Sequence, residues 1–160
     1  MRSQGKFMSR SAIFRFALLL GTLTTASAAQ TATFKVLVLD ALDGKPQGGI
    51  NVDYFCEGQG WNPEDSVTTG QDGVAVIPYR CNGGRQEVSV SAPSSVNKEE
   101  CGGLDATQWS DIVDTGVISD PSGAGGIWCP RKISRKLSPV PGQVTIFIKK
   151  PTWWQSHVAG

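Results

Sequence analysis

The strand-forming residues of this chain come in short runs, each cut off by glycine, proline or polar turn residues. "ATFKVLVLDA" (32–41), "INVDYFC" (50–56), "VAVIPYRC" (74–81), "QEVSVSAP" (86–93) and "GQVTIFIKK" (142–150) are rich in β-branched residues. In the second run Ile50, Val52, Tyr54 and Cys56 fall on one side, and Asn51, Asp53 and Phe55 on the other. Strict alternation of this kind predicts a half-buried strand. The fourth run sets Val88, Val90 and Ala92 against Ser89 and Ser91, and the last sets Val144, Ile146 and Ile148 against Thr145, Phe147 and Lys149. The first run is different, because its middle is apolar on both parities, which predicts a strand covered on both faces. Several short strands separated by turn signals predict an all-β protein, an antiparallel β-sandwich.

The cysteines predict how such a sandwich is braced. Cys56, Cys81, Cys101 and Cys129 are an even set with no C-x-x-C pair, and the only histidine is His157, so the spacing of a zinc site is missing. Two disulfides are expected. Of three possible connectivities, Cys56–Cys81 with Cys101–Cys129 is favoured, because each pair then brackets one continuous excursion. The second would close a long Gly-rich loop and stabilise by roughly 3–4 kcal/mol in the chain-entropy model.

Disulfides need an oxidising compartment, and the start of the chain reads as the route to one. Arg2, Lys6, Arg10 and Arg15 precede "FALLLGTLTTASA", and Ala26-Ser27-Ala28 fits a small-x-small cleavage site. Residues 1–28 are therefore expected to be a secretory signal peptide. The apolar stretch falls short of the roughly 20 residues that span a bilayer. No cysteine follows the cleavage site for a lipid anchor, and no paired arginines precede the apolar run. Without those four basic residues, 11 basic side chains stand against 14 acidic ones, a net charge of −3. The expected organisation is one sandwich domain over 29–151, containing a loop-rich segment 94–141, followed by an aromatic tail, 152–160. The location expected is the periplasm or the extracellular space, with no integral membrane segment left after signal removal. No N-x-S/T sequon occurs, which favours a bacterial periplasm over a glycosylating pathway.

Within "TTGQDGVAVI" the Asp72-Gly73 pair invites a ligand reading. A calcium loop needs several oxygen ligands at alternate positions, and here Asp72 is the one acid. A tight turn opening a strand is the expected role, since both residues tolerate positive φ. Between 94 and 141, "LDATQWSDIVDTG" has the spacing of a short helix with Asp105 as N-cap and Trp109, Ile112 and Val113 on one face. "RKISRKLS" reads as a further strand.

The order "FKVLVLDALDGKPQGGINVDYFC", "TTGQDGVAVI", "QEVSVSAP" resembles the carboxypeptidase-regulatory-like or transthyretin-like group of β-sandwich domains. The matching positions are Gly44, Pro46 and Gly49 of a G-x-P-x-x-G turn, then Thr69, Asp72 and Gly73 of a T-x-x-D-G corner. The match covers about residues 34–92 and the last strand. It implies an immunoglobulin-like (prealbumin-like) sandwich with a disulfide-bounded loop insertion, in an accessory, adhesive or binding role, and supplies no catalytic residues. Transthyretin-like hydrolases are similar in fold but carry several histidines and a C-terminal Tyr-Arg-Gly-Ser, missing here. Intradiol dioxygenases need tyrosine and histidine iron ligands that two tyrosines and one histidine cannot supply. For a lysine–asparagine isopeptide cross-link Lys35 is suitably placed, but no asparagine follows Asn97.

The least ordinary stretch is the tail, "KKPTWWQSHVAG". Trp153 and Trp154 could form an aromatic platform for a sugar ring or a partner's apolar surface, or could cover the open end of the sandwich. Trp61, Trp109 and Trp128 are expected to be buried loop anchors. Glu64-Asp65, Glu99-Glu100, Asp111 and Asp114 fit no calcium-loop spacing and read as solvated charge. Arg131, Lys132, Arg135, Lys136, Lys149 and Lys150 follow the last acid, Asp120. Solvated strand faces are expected there, because export and net acidity argue against nucleic acid. No G-x-S-x-G occurs and His157 sits four residues from the end, so no nucleophile–base set is in view. The expected function is binding of another protein, without enzymatic activity, cofactor or metal. The contact surface expected is the 94–141 segment or the tryptophan tail. Carbohydrate binding through Trp153 and Trp154 is the alternative, and a loop-borne hydrolase site the third reading.

Overall fold

The structure is a computed structural model, and the residues it describes are 32–60, 62, 65–81, 84–93, 98–101, 104–121 and 129–150. Among these residues nine strands form two sheets. Sheet A contains β1 (Thr33–Asp40), β4 (Val74–Pro78), β6 (Glu99–Glu100), β8 (Val117–Ile118) and β9 (Gln143–Lys149). Its order is β4-β1-β9-β6, with β8 also beside β9. Sheet B is β3-β2-β5-β7, made of β3 (Ser66–Thr68), β2 (Asn51–Cys56), β5 (Arg85–Ser91) and β7 (Leu104–Gln108).

The core lies between the sheets, and period two decides who enters it. Phe34, Val36, Val38, Ala75, Ile77, Val144, Ile146 and Ile148 from sheet A meet Val52, Tyr54, Val88 and Val90 from sheet B in one cluster. Each fully buried side chain of this size contributes about 1.5–3 kcal/mol. Ile112 joins them from outside the sheets.

The expected antiparallel sandwich needs one correction. β1 runs parallel to β9, pairing Val36 with Val144 and Val38 with Ile146, and β8 also runs parallel to β9. Parallel neighbours need a long connection, and β1 and β9 are the first and last strands, joined by most of the chain. Sheet A is therefore mixed, while every pairing in sheet B is antiparallel.

β1 is covered on both faces over its second half, as the apolar middle of its sequence predicts, while Thr33 and Lys35 on its first half are exposed. Leu39, Ala41 and Phe147 point away from the main core into a second cluster with Cys101 and Cys129, flanked by Leu37, Ile118 and Ile133. The cover is the described part of the 94–141 segment. Two local expectations within it fail. Asp105 lies inside strand β7 and caps no helix; the chain turns helical only after that strand, from Trp109, and Asp111–Thr115 is a single wide turn whose Ile112 is buried. The strand outcompetes the helix because Leu104–Gln108 can pair along β5, whereas a helix this short is marginal on its own. "RKISRKLS" is a 3-10 turn at Ser134–Lys136. Ile133 precedes it and packs into the second cluster, and the Arg135 N–H bonds back to Arg131 O.

Both expected disulfides form, Cys56–Cys81 and Cys101–Cys129. Among the described residues no helix is long and apolar enough to cross a membrane.

Candidate functional site

The Asp72-Gly73 corner is the place where the sequence looks most like a site. It closes on the fold itself. Asp72 Oδ1 accepts the Val74 N–H at 3.1 Å, and the Gly70 N–H donates to Val74 O at 2.9 Å. Gly73 has φ +73°, and a Cβ there would lie 2.8 Å from Gln47 N and from Val38 O. Gln47 belongs to the other turn, G-x-P-x-x-G, so the two turns dock on each other. Thr69 joins them: its hydroxyl donates to Gln47 O at 2.8 Å and accepts the Ile50 N–H at 3.0 Å. The Thr69 hydroxyl and Asp72 Oδ1 are both engaged in holding the corner, and this explains why the motif contains these residues.

The same corner finishes an exposed sheet edge. β4 borders sheet A and would otherwise offer backbone groups to an incoming strand. Val74 has its N–H held by Asp72 and its carbonyl by Gly70. Pro78 has no N–H, and its carbonyl accepts from the Gln86 side chain at 3.4 Å.

A shallow cleft lies at the Cys56–Cys81 end, lined by Tyr54, Phe55, Gln59, Asp65, Arg80 and Gln86 among others. Arg80 bridges to Asp65 and lies 5.5 Å over the Tyr54 ring, tying the loop after β4 to the one before β3. The cavity holds about 30 Å³, room for about two waters and too small for a sugar ring.

Two charged clusters stand near the other end. Lys98 Nζ donates to Asp40 Oδ2 at 2.9 Å and to Gln47 Oε1 at 2.6 Å, pinning the chain before β6 to the end of β1. Glu100, two residues on, sends Oε2 to the Val90 N–H at 3.0 Å, while Oε1 is buried with no hydrogen-bond partner among the described residues. Burial pushes the Glu100 carboxyl up to about 7; the Val90 N–H opposes this, and the like charge of Asp53 adds to it. Sequence reasoning grouped Glu100 with solvated charge and missed it. The signal available was Ile148, its partner across β9, which faces the core.

The remaining candidates are quickly placed. Trp109, expected to be a buried loop anchor, is partly buried at the start of the helical turn and packs against the core, its ring centroid 4.5 Å from that of Tyr79 and 6.2 Å from that of Phe34. Lys35 is exposed on β1, where the buried surroundings of an isopeptide cross-link are missing. Lys149 is buried, unlike the solvated face expected for it, because the second cluster covers that side of β9. Arg131 is paired with Asp120. Among the described residues no group of histidine, cysteine, aspartate and glutamate is arranged to hold a metal. Trp61, Glu64, Asn97, Trp128, Trp153, Trp154 and His157 lie outside the described residues. Compared with protein-family models, with curated proteins and with solved structures, the chain finds no match in any of the three.

Proposed function

We infer that this chain is an exported, disulfide-braced sandwich of the immunoglobulin-like (prealbumin-like) kind, related to the carboxypeptidase-regulatory-like group, that works by binding another protein. The observation that carries this reading is the corner. The residues most suggestive of chemistry, Thr69, Asp72 and Gly73, are consumed by contacts with Gln47, Ile50 and Val74. Both G-x-P-x-x-G and T-x-x-D-G act as one piece of turn geometry, which supports the family and an accessory role. The leader and two disulfides support the periplasm or the extracellular space. Partner contact through a face suits a sandwich whose cleft at Tyr54 and Arg80 admits only water.

The test is a pull-down with the oxidised mature chain, 29–160, from native extract, followed by reconstitution with the purified partner. A one-to-one complex is expected. It should be lost in a Glu87→Lys, Ser89→Lys variant of the open face of sheet B or in a Trp153→Ala, Trp154→Ala variant, each still folded. Retention of the native chain on a polysaccharide gel, abolished by the tryptophan pair, would instead assign the tail to carbohydrate. Recovery of no partner, with turnover of a substrate, overturns the binding reading.

A further inference from the structure

The crossover from sheet A to sheet B contains a half-buried acid, one oxygen of which is shielded from solvent, for which protein binding has no use. β6 ends at Glu100, whose neighbour across the sheet is Ile148, a core residue, so its side chain is directed towards sheet B. There it meets the edge of β5. The last pair between β5 and β7 is Val88 with Leu104. Val90 lies beyond that pair, and Glu100 Oε2 takes its N–H at 3.0 Å. The side chain thus stands in for a strand that has already turned away. Cys101 follows at once, so this bond lies beside the disulfide that anchors the second cluster.

Its other oxygen is the difficulty. Oε1 is shielded from solvent and has no donor among the described residues. An ionised carboxylate there would leave a buried charge half-satisfied, which is costly. Ionisation strengthens the bond from Val90 but places charge on the shielded carboxyl, and that desolvation cost is the larger of the two, so the closed edge favours the neutral form. The surroundings do not neutralise it. On β6, Glu99 is exposed and pairs in register with Lys149 of β9, on the opposite face from Glu100 and Ile148. Lys98 is held by Asp40 and Gln47. On β5, Glu87 alternates away from Val88 and Val90, and Arg85 is at the far end of the strand. On β2, Asp53 accepts from the Ser91 hydroxyl at 3.1 Å and acts on Glu100 with the same sign.

We propose that Glu100 is a proton-operated brace: protonated, it fastens the β6 crossover to the edge of β5, and on losing its proton it releases that edge. The carboxyl is raised from its ordinary 4.5 to about 7 in the folded chain. The folded state therefore keeps a proton that the unfolded state has given up. The stabilisation is fully present below about 4.5 and is lost as the pH rises through about 7. A protein in a mildly acidic compartment would hold its two sheets more firmly than the same protein in an alkaline one.

The experiment is urea unfolding of the oxidised mature protein from pH 4.5 to 8.5, beside Glu100→Gln, which is neutral and keeps the acceptor. The native folding constant should fall at least about tenfold across this range, and the variant's should lose that dependence. Asp53→Asn should move the native midpoint towards lower pH, which a purely structural role for Glu100 would not do. Equal pH slopes in the native chain and Glu100→Gln overturn the proposal. If the glutamine variant does not fold, carboxyl carbon NMR of the native protein decides. A Glu100 resonance titrating near 7, together with loss of Val90 amide protection over the same range, supports the brace; titration near 4.5 refutes it.

Discussion

The two sheets share a core and differ in what lies behind them. Behind sheet B no second apolar cluster packs among the described residues: Asn51, Asp53 and Phe55 on β2 and Glu87 and Ser89 on β5, all half-buried, alternate with buried Val52, Tyr54, Val88 and Val90. Their polar side chains bond to each other, Ser91 to Asp53 and Thr68 to Asn51. Behind sheet A is more protein. Leu39 and Phe147 are as buried as the core residues that flank them, and the chain around Cys101–Cys129 does the burying. A sheet with one wet face can be specified by alternation alone. A sheet with two dry faces needs a second layer, and here the described residues of that layer hold only short pieces of regular structure. The disulfide takes the place of secondary structure in fixing it.

The largest expected effect follows from that substitution. The two disulfides span 25 and 28 residues, so the chain-entropy model gives each about 3.5 kcal/mol. Equal costs on removal would mean that the bonds do nothing more. Cys101 and Cys129 are both fully buried in the second cluster, so Cys101→Ala, Cys129→Ala should cost about 4–5 kcal/mol and Cys56→Ala, Cys81→Ala about 3–4. Urea unfolding of the two variants measures the difference. Binding of a hydrophobic dye should rise only in the first, as the outer face of sheet A comes open. Equal losses and equal dye binding would break the comparison.

Phe147 and Phe55 sharpen it at single-residue scale. Both are on the side of their strand that faces away from the main core, Phe147 at 1 % exposure and Phe55 half-buried. Phe147→Ala should cost about 3–4 kcal/mol and Phe55→Ala about 1, a difference readable from the midpoints of denaturation.

These contrasts also mark what could be read from the sequence. Strands β1, β2, β4, β5 and β9 were legible because two-residue periodicity and β-branched side chains are local signals. The two-sided burial of β1 was legible from "KVLVLD", but nothing local said what would cover it. The helix expected at Asp105 shows the other limit. Trp109, Ile112 and Val113 do have helical spacing, yet a partner strand 16 to 23 residues upstream decides the conformation of Leu104–Gln108. At the corner, the T-x-x-D-G residues were recognised as turn chemistry, while the Thr69 hydroxyl reaching Gln47 was not, because that contact spans 22 residues. Glu100 was missed for the same reason: two adjacent acids look solvated until the register with β9 shows that one of them faces the core.

The corner joins the open sheet to the covered one, so it tests both. Gly73 and Gly142 have nearly the same positive φ, +73° and +74°. A Cβ on Gly142 meets nothing within 4 Å, whereas one on Gly73 is driven against Gln47 N and Val38 O. Gly142→Ala should therefore cost only the backbone strain, about 1 kcal/mol, and Gly73→Ala about 2–3. Thr69→Val removes the bridge without changing the shape of the side chain much, leaving Gln47 O and the Ile50 N–H unsatisfied, and should cost about 1–2 kcal/mol. Thermal unfolding of the three variants gives the order; a Gly73→Ala protein no less stable than Gly142→Ala would show that the two turns are not docked.

The smallest effect belongs to the outer face of sheet B, and its smallness is informative. Glu87→Gln and Ser89→Ala change side chains that alternate away from Val88 and Val90 and carry none of the inter-sheet contacts. Each should shift stability by less than about 0.5 kcal/mol. A loss above about 1 kcal/mol in urea unfolding would mean that something packs on this face too, and the contrast between the sheets would fail. If the face is silent in folding, any weakening of partner binding by Glu87→Gln or Ser89→Ala reports contact alone. Sheet A offers no such clean readout behind Leu39 and Phe147, where a substitution that disturbed a partner would also disturb the second cluster.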